Sequence, residues 1–179
     1  MATHQLVSPF LLFWCVNNFF FVSLFEYIIN CKMLMKRLYI DMDGVLVDFQ
    51  SGIDRTDTAT LEKYDGHYDD IPGIFARMDP MPGAIEAFRL LSHHYDVYIL
   101  STAPWHNPSA WSDKVVWVQR YLGDVAYKRL ILSHHKDLCH GDYLIDDRTK
   151  HGAGEFCGEH IHFRTDKFPN WQSVLDYLL

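Results

Sequence analysis

The stretch that decides the fold runs from Leu38 to Phe49 and reads LYIDMDGVLVDF, an apolar run that ends in two carboxylates and a glycine. Leu38 to Ile40 is typical of a short buried strand, but aspartate forms strands poorly and is costly to bury without a partner. Asp41 and Asp43 therefore need a compensating positive charge, which a metal cation would supply. Gly44 permits the sharp backbone turn that follows them.

Outward from this stretch, apolar strands alternate with amphipathic helices. Four further strands are predicted, at 97–100, 130–132, 143–145 and 161–163. Two helices are predicted from apolar residues on one face, namely Ile85, Phe88 and Leu91 after Pro82-Gly83, and Trp171, Val174, Leu175 and Leu178 near the end. The alternation predicts an α/β fold with a parallel sheet, covered on both faces and joined by right-handed crossovers.

A third helix is predicted between the second and third strands. It would begin at Asn107-Pro108, because asparagine is a good N-cap and proline suits the first turn. Gly123 would end the helix, and its apolar stripe would be Trp111, Val115, Val118 and Leu122.

Polar side chains follow each predicted strand that could reach the middle of the sheet. The strand ends carry Asp41, then Ser101-Thr102, then Ser133 to Lys136, and then Asp146-Asp147. Because ligands bind beyond the carboxyl ends of strands in such sheets, these groups are predicted to meet in one crevice.

The chemistry that fits this set is phosphoryl transfer. Asp41 could attack phosphorus and carry the phosphoryl group, while Asp43 protonates the leaving oxygen and then activates water. Mg²⁺ suits a few carboxylates plus phosphate oxygens, and Asp146 with Asp147 beside it supplies the remaining anionic ligand. Ser101 (or Thr102) and Lys136 would hold the phosphoryl oxygens.

The chain resembles the haloacid dehalogenase superfamily of phosphatases in four ordered motifs, which are DMDGVLVDF (41–49), ILST (99–102), Lys136 and LIDD (144–147). It is most similar to the 5′(3′)-deoxyribonucleotidase family, through PMPGAIEAF (80–88), STAPW (101–105), WVQRYLG (117–123) and LIDDR (144–148). The resemblance implies a Rossmann-like three-layer sandwich with a small helical cap inserted after the first strand. It also implies Mg²⁺-dependent removal of phosphate from (deoxy)nucleoside monophosphates, with Asp41, the Asp43 carbonyl and Asp146 as metal ligands.

The stretch of about residues 50–82 is predicted to be that cap, a lid that closes over the crevice and excludes water. The resemblance implies that Phe49 packs on the base, with Phe75 as a cap aromatic that does the same. Trp105 directly follows the second motif and is predicted to line the mouth of the crevice. The alternative for the cap aromatics is that they only pack the lid onto the body.

The N-terminal residues 1–34 differ from the rest. The segment from Leu6 to Ile29 is long and apolar enough to span a bilayer, but Pro9 and Glu26 interrupt it. We interpret residues 1–34 as an extraneous or disordered leader, with a membrane anchor as the alternative, and residues 35–179 as the phosphatase domain.

Composition limits the partners of the protein. A net charge of −7 argues against a nucleic-acid polymer, because such partners need a basic face. The four cysteines show no paired spacing, which argues against a zinc cluster and favours free thiols in the cytoplasm. A small phosphomonoester is the expected partner, without a membrane, and a homodimer is compatible with the sequence.

Three alternatives to a nucleotidase remain open. The chain could be a phosphatase for sugar phosphates or another small phosphomonoester, a phosphomutase, or a non-catalytic nucleotide-binding module on the same fold.

Overall fold

The computed structural model describes residues 35–179, so the predicted leader at 1–34 lies outside the described residues. Lys36 to Leu179 form one compact unit. Its strands are β1 (Arg37–Ile40), β2 (Val47–Asp48), β3 (Asp79–Pro80), β4 (Asp96–Ser101), β5 (Leu130–Leu132), β6 (Tyr143–Asp146) and β7 (Glu159–His162). Its helices are α1 (Phe49–Asp54), α2 (Thr58–Lys63), α3 (Ala84–Leu91), α4 (Ser109–Leu122) and α5 (Trp171–Leu178).

The central sheet has five strands in the order β5-β4-β1-β6-β7, and every pairing in it is parallel. The first-predicted strand, β1, lies in the middle, with Ile40 in register with Ile99 of β4 and Ile145 of β6. The predicted parallel sheet is therefore confirmed. Because the three central strands end side by side, the residues that follow them share one edge of the sheet.

The two faces of the sheet are covered differently. Leu38 and Ile40 face the main core, where α3, α4 and α5 pack. Tyr39 and Leu144 face a smaller apolar cluster that includes Phe156 from the segment between β6 and β7. In the described part of the chain, this second layer consists of loops and a 3₁₀ turn (Lys136–Leu138) rather than helices.

A two-stranded antiparallel pair, β2 with β3, carries the segment that was predicted to be the cap. Between these strands lie α1, α2 and two 3₁₀ turns, Tyr68–Asp70 and Phe75–Arg77. The second turn is fastened to α4, because Trp117 Nε1 donates to the Met78 carbonyl at 3.0 Å and Arg120 to the Ala76 carbonyl at 3.2 Å. This half of the segment is thus bonded to the body of the protein.

The predicted stripe of α4 is wrong at two positions. Trp111 is 40% exposed and Val115 is 41% exposed, so they face outward. The face that packs against the core carries Ala110, Lys114, Trp117, Val118 and Leu122. The buried face is therefore rotated about the helix axis relative to the predicted stripe. The predicted stripe contained apolar residues alone, whereas the observed face includes Lys114.

The helix begins at Ser109, close to the predicted start, but the predicted N-cap role of the Asn107 side chain is wrong. Asn107 makes no N-cap bond to the helix, and Pro108 takes the cap position without a side-chain hydrogen bond. The Asn107 side chain donates instead to backbone carbonyls of the cap segment. Within residues 35–179, no helix combines the length and apolar character that a membrane span requires.

Candidate active site

Three carboxylates gather where β1 and β6 end. Asp41 directly follows β1, Asp146 is the last residue of the neighbouring β6, and Asp147 follows it. One carboxylate oxygen of each lies within 4.8 Å of the others. Asp41 Oδ1 and Asp147 Oδ1 are buried without a hydrogen-bond partner. Buried oxygens of this kind are a suitable donor set for a hard divalent cation.

Burial raises the pKa values of Asp146 and Asp147. Burial, together with the nearby Asp41, raises the pKa of Asp146 to about 6 against the opposing charge of Lys136. Burial and Asp41 also raise the pKa of Asp147 above its ordinary value, and Arg148 acts in the opposite direction. A bound cation would stabilise the charged forms that burial disfavours.

Lys136 supplies one positive charge from the opposite side. Its Nζ lies 2.5 Å from Asp146 Oδ2 and 3.0 Å from Asp41 Oδ1, although only the Asp146 contact has hydrogen-bond geometry. Burial alone would lower the pKa of Lys136, but Asp41 and Asp146 raise it, so the ammonium stays charged. The Lys136 backbone N–H donates to the His151 carbonyl at 2.8 Å, which fixes the turn that carries the side chain.

Asp43 follows Asp41 by two residues, and its two carboxylate oxygens have different surroundings. Oδ2 accepts a hydrogen bond from Lys114 Nζ at 2.7 Å, whereas Oδ1 is buried without a partner. Burial raises the pKa of Asp43 above its ordinary value, and Lys114 opposes the rise. Gly44 makes the turn at φ 77°, and a Cβ there would overlap the Asp147 carboxylate. The glycine is therefore needed for both its backbone angle and its lack of a side chain.

Lys114 is a site residue that the sequence analysis missed. It is fully buried on α4, its Nζ lies 3.2 Å from Ser101 Oγ, and it stands 4.5 Å from the Phe75 ring centroid. A sequence signal did exist, because Lys114 shares a helical face with Ala110 and Trp117. A lysine on an apolar face is rarely buried without a charged partner, which here is Asp43.

The remaining predicted residues take different positions around the site. Ser101 is the buried end of β4, beside Lys114. Thr102 donates its hydroxyl to the Ser133 carbonyl at 2.9 Å and borders the cavity. Trp105 is 75% exposed at the mouth, with its ring 5.9 Å from that of His134.

A cavity of about 590 Å³ opens above these groups. Asp41, Asp43, Lys136 and Asp146 line its floor. Phe49 and Phe75 form one wall, with ring centroids 5.8 Å apart, and the cap segment 66–70 continues it. The opposite rim contains Thr102, Pro104, Trp105, His106, His134, Arg148, Lys150 and His151. The volume suits a small organic molecule.

The structure thus brings five of the predicted polar groups together in two sets. One set is Asp41, Lys136 and Asp146, and the other is Asp43 and Ser101, which are joined through Lys114. The Asp43 carboxylate lies outside the three-carboxylate group, since its bond is to Lys114. The metal role expected for Asp43, through its carbonyl, stays a prediction.

The chain is similar to one described protein family and to several named proteins. Residues 60–178 match the family model described as 5′ nucleotidase, deoxy (pyrimidine), cytosolic type C protein. A protein of Vibrio phage KVP40, named "Putative 5′(3′)-deoxyribonucleotidase", is 67% identical over 79% of this chain and 83% of its own length. A protein of the same name from Bordetella bronchiseptica is 33% identical over 77% of this chain and 94% of its own length.

A solved structure also resembles the chain. A structure described as the "putative HAD-hydrolase YfnB from Bacillus subtilis bound to magnesium" gives a TM-score of 0.52 at 12% identity, and the match covers 76% of this chain and 90% of that one. At this identity the likeness concerns the fold alone, and it confirms the predicted haloacid dehalogenase-like α/β fold.

Proposed function

The chain belongs to the 5′(3′)-deoxyribonucleotidase family of the haloacid dehalogenase superfamily, and from this premise we propose that it hydrolyses (deoxy)nucleoside monophosphates. The observation that carries the proposal is the position of Asp41. Its side chain lines a cavity large enough for a small molecule, and its buried Oδ1, which has no hydrogen-bond partner, lies 3.0 Å from the Lys136 ammonium. A nucleophilic carboxylate needs this combination of free oxygen, nearby positive charge and access to substrate.

In the first step, an Asp41 oxygen attacks phosphorus, the bond from phosphorus to the nucleoside oxygen breaks, and an aspartyl phosphate forms. Asp43 gives its proton to the departing oxygen. We place the proton on Oδ1. The other oxygen, Oδ2, accepts a hydrogen bond from the Lys114 ammonium, and because an ammonium can only donate, Oδ2 cannot carry a proton toward it. Its raised pKa favours the protonated form that this step requires.

In the second step, water attacks the phosphorus of the aspartyl phosphate, and Asp43 Oδ1 takes the proton from that water. Phosphate leaves and Asp41 is regenerated. Lys136 holds the phosphoryl oxygens near Asp41, and Ser101 and Lys114 stabilise the same region from the side of Asp43. Fixed charges of this kind act where negative charge develops, so they contribute strongly to catalysis.

The residues present fit Mg²⁺, which Asp41 and Asp146 would hold, with Asp147 beside them and the Asp43 carbonyl as a further ligand. When bound, the ion would neutralise phosphate charge and reduce the repulsion between substrate and carboxylates. The three clustered oxygens and the raised pKa values of Asp146 and Asp147 support this assignment.

The nucleoside would lie between the two walls of the cavity. Phe49 and Phe75 offer ring edges and faces for the base, since aromatic rings stack on bases with little sequence preference. Thr102 and Trp105 would contact the substrate from the opposite rim. The proposed partner is thus a single small phosphomonoester, and a homodimer stays a prediction. Cys139 and Cys157 are free thiols, which supports a cytoplasmic location.

The experiment is phosphate release from a panel of nucleoside monophosphates and hexose phosphates, with Mg²⁺ or with EDTA. The proposal expects release from deoxynucleoside monophosphates with Mg²⁺, little release from hexose phosphates, and loss of activity in Asp41→Asn. Faster release from a hexose phosphate would favour a sugar-phosphate phosphatase. No release from any member of the panel would favour a non-catalytic module.

A further inference from the structure

Asn107 connects the two walls of the cavity. Its Nδ2 donates to the Asp69 carbonyl at 2.8 Å and to the Ile71 carbonyl at 3.0 Å, while its Oδ1 accepts from Ser109 Oγ at 2.8 Å. The side chain is 1% exposed. Both amide hydrogens and the amide oxygen are therefore paired, which no other side chain of the same size could reproduce.

The two segments that Asn107 joins are the walls themselves. On one side, Asp69 belongs to the cap stretch 66–70 that lines the cavity. On the other, Asn107 directly follows Trp105 and His106 on the opposite rim. Ser109 adds a second link, because its Oγ accepts from the Gly73 backbone N–H at 2.9 Å.

The segment 58–70 packs against the core only partly, through the half-buried side chains of Leu61, Tyr64 and Tyr68. No residue of α2 or of the turn Tyr68–Asp70 is fully buried. The nearest fully buried apolar residues of the cap, Ile71 and Ile74, follow the stretch 66–70. Loss of the Asn107 bonds would therefore leave the buried Ile71 carbonyl and the partly buried Asp69 carbonyl without this partner where the wall meets the body, and the wall would shift.

We propose that Asn107 is a positioning residue that sets the spacing between the cap wall and the rim, and thereby selects a nucleoside as the leaving group. The inference rests on the proposed function. A nucleoside reaches both walls, whereas a small aryl phosphate needs only the floor formed by Asp41, Asp43 and Lys136. The spacing therefore governs nucleotide binding and has little effect on hydrolysis of the small ester.

The test compares kcat and KM for a deoxynucleoside monophosphate and for p-nitrophenyl phosphate in the full-length protein. Asn107→Asp keeps the shape but replaces two donors with acceptors that face carbonyls. We expect the ratio of the two kcat/KM values, nucleotide over aryl phosphate, to fall at least fivefold, mainly through a higher KM for the nucleotide. Ser109→Ala, which keeps the Asn107 amide donors, should give a smaller fall of the same kind.

The matched control is Asn170→Ala, which removes the N-cap of α5 and leaves the bonds of Asn107 intact. It should lower stability and leave the ratio within twofold of wild type. An unchanged ratio in Asn107→Asp would overturn the inference, as would an equal fall in Asn170→Ala. If Asn107→Asp does not fold, an unchanged ratio in Ser109→Ala overturns it.

This test also separates the inference from the proposed function. A wild-type protein that hydrolyses p-nitrophenyl phosphate but no nucleotide would contradict the proposed function, whatever the variants do. A wild-type protein that prefers nucleotides, with the same preference in Asn107→Asp, would leave the proposed function intact and contradict the role of Asn107 alone.

Discussion

The buried contact between Lys114 and Asp43 should respond sharply to Lys114→Met, which removes the charge and keeps much of the volume. The Lys114 ammonium donates to Asp43 Oδ2 at 2.7 Å, and a hydrogen bond from a charged donor contributes about 1.5–3 kcal/mol whether or not Oδ1 carries a proton. Removing one partner of a buried pair costs about 3–5 kcal/mol. Because the Asp43 side chain is 22% exposed, we expect a loss of about 2–3 kcal/mol in the free energy of unfolding at pH 7.

The assay is urea unfolding in EDTA of wild type, Lys114→Met, Asp43→Asn and the double variant. If the two groups form a pair, the double variant should be more stable than the sum of the single losses predicts, by at least about 1 kcal/mol. Lys63→Met, at an exposed position in the last turn of α2, is the control and should change stability by less than about 0.5 kcal/mol.

Activity provides a second measure of the same pair. Lys114→Met should lower kcat/KM for the substrate at least tenfold, because Asp43 loses the contact that holds Oδ2 and thereby fixes the orientation of its carboxyl group. The reasoning would be refuted if the stability losses were additive within about 0.5 kcal/mol and activity were retained.

Three further changes have defined outcomes. The pKa of Asp146 is raised to about 6, so the metal-free protein holds this proton below pH 6, and the ionised carboxyl destabilises the fold above pH 6. Because Mg²⁺ competes with that proton, it should bind about tenfold more weakly at pH 5 than at pH 7. Calorimetric titration with Mg²⁺ measures this, and equal affinity at both pH values would contradict it. Phe49→Ala should raise KM for the nucleotide about tenfold with kcat nearly unchanged in steady-state assays, since one stacking contact contributes about 1–3 kcal/mol; an unchanged KM would remove Phe49 from the base site. Trp105→Ala should also raise KM, but should change the melting temperature little because the side chain is 75% exposed; a large drop in melting temperature would show a structural role instead.

The residues at the floor of the site could be predicted from sequence patterns because they lie at the ends of strands. Asp41 and Asp146 come after apolar runs, and parallel strands bring their carboxyl ends to one edge. Their mutual position could thus be predicted without any knowledge of side-chain packing. The same patterns could not specify which oxygen of each carboxylate is free, since that depends on contacts between distant segments.

Lys114 was missed because it breaks the rule that was used to find the helix. Trp111 and Val115 fit an apolar stripe by spacing, so the stripe was assigned to the wrong face of α4. The true face carries a lysine, which an apolar pattern rejects unless the partner carboxylate is known. Local rules fail most often at functional sites, where a buried charge is retained for chemistry.

Asn107 shows a different limit. An asparagine before Pro108 at the start of a helix is a good N-cap by local criteria, yet its amide pairs with carbonyls 36 and 38 residues away in sequence. Local propensity favours the cap, and the tertiary contacts with Asp69 and Ile71 outweigh it. The loops that cover the second face of the sheet were likewise not predicted. The periodicity of apolar residues reveals amphipathic helices, and in the described residues these pack on one face, whereas loops have no such periodicity.

The most direct test of the mechanism is to trap the phosphorylated enzyme. Protein that is mixed with a deoxynucleoside monophosphate and Mg²⁺, quenched rapidly in acid and digested should yield one peptide that carries a phosphoryl group on Asp41. Asp41→Asn should yield none. Turnover by the wild-type protein with no phosphopeptide at any time point, or with the phosphoryl group on a different residue, would contradict the assignment of Asp41 as nucleophile.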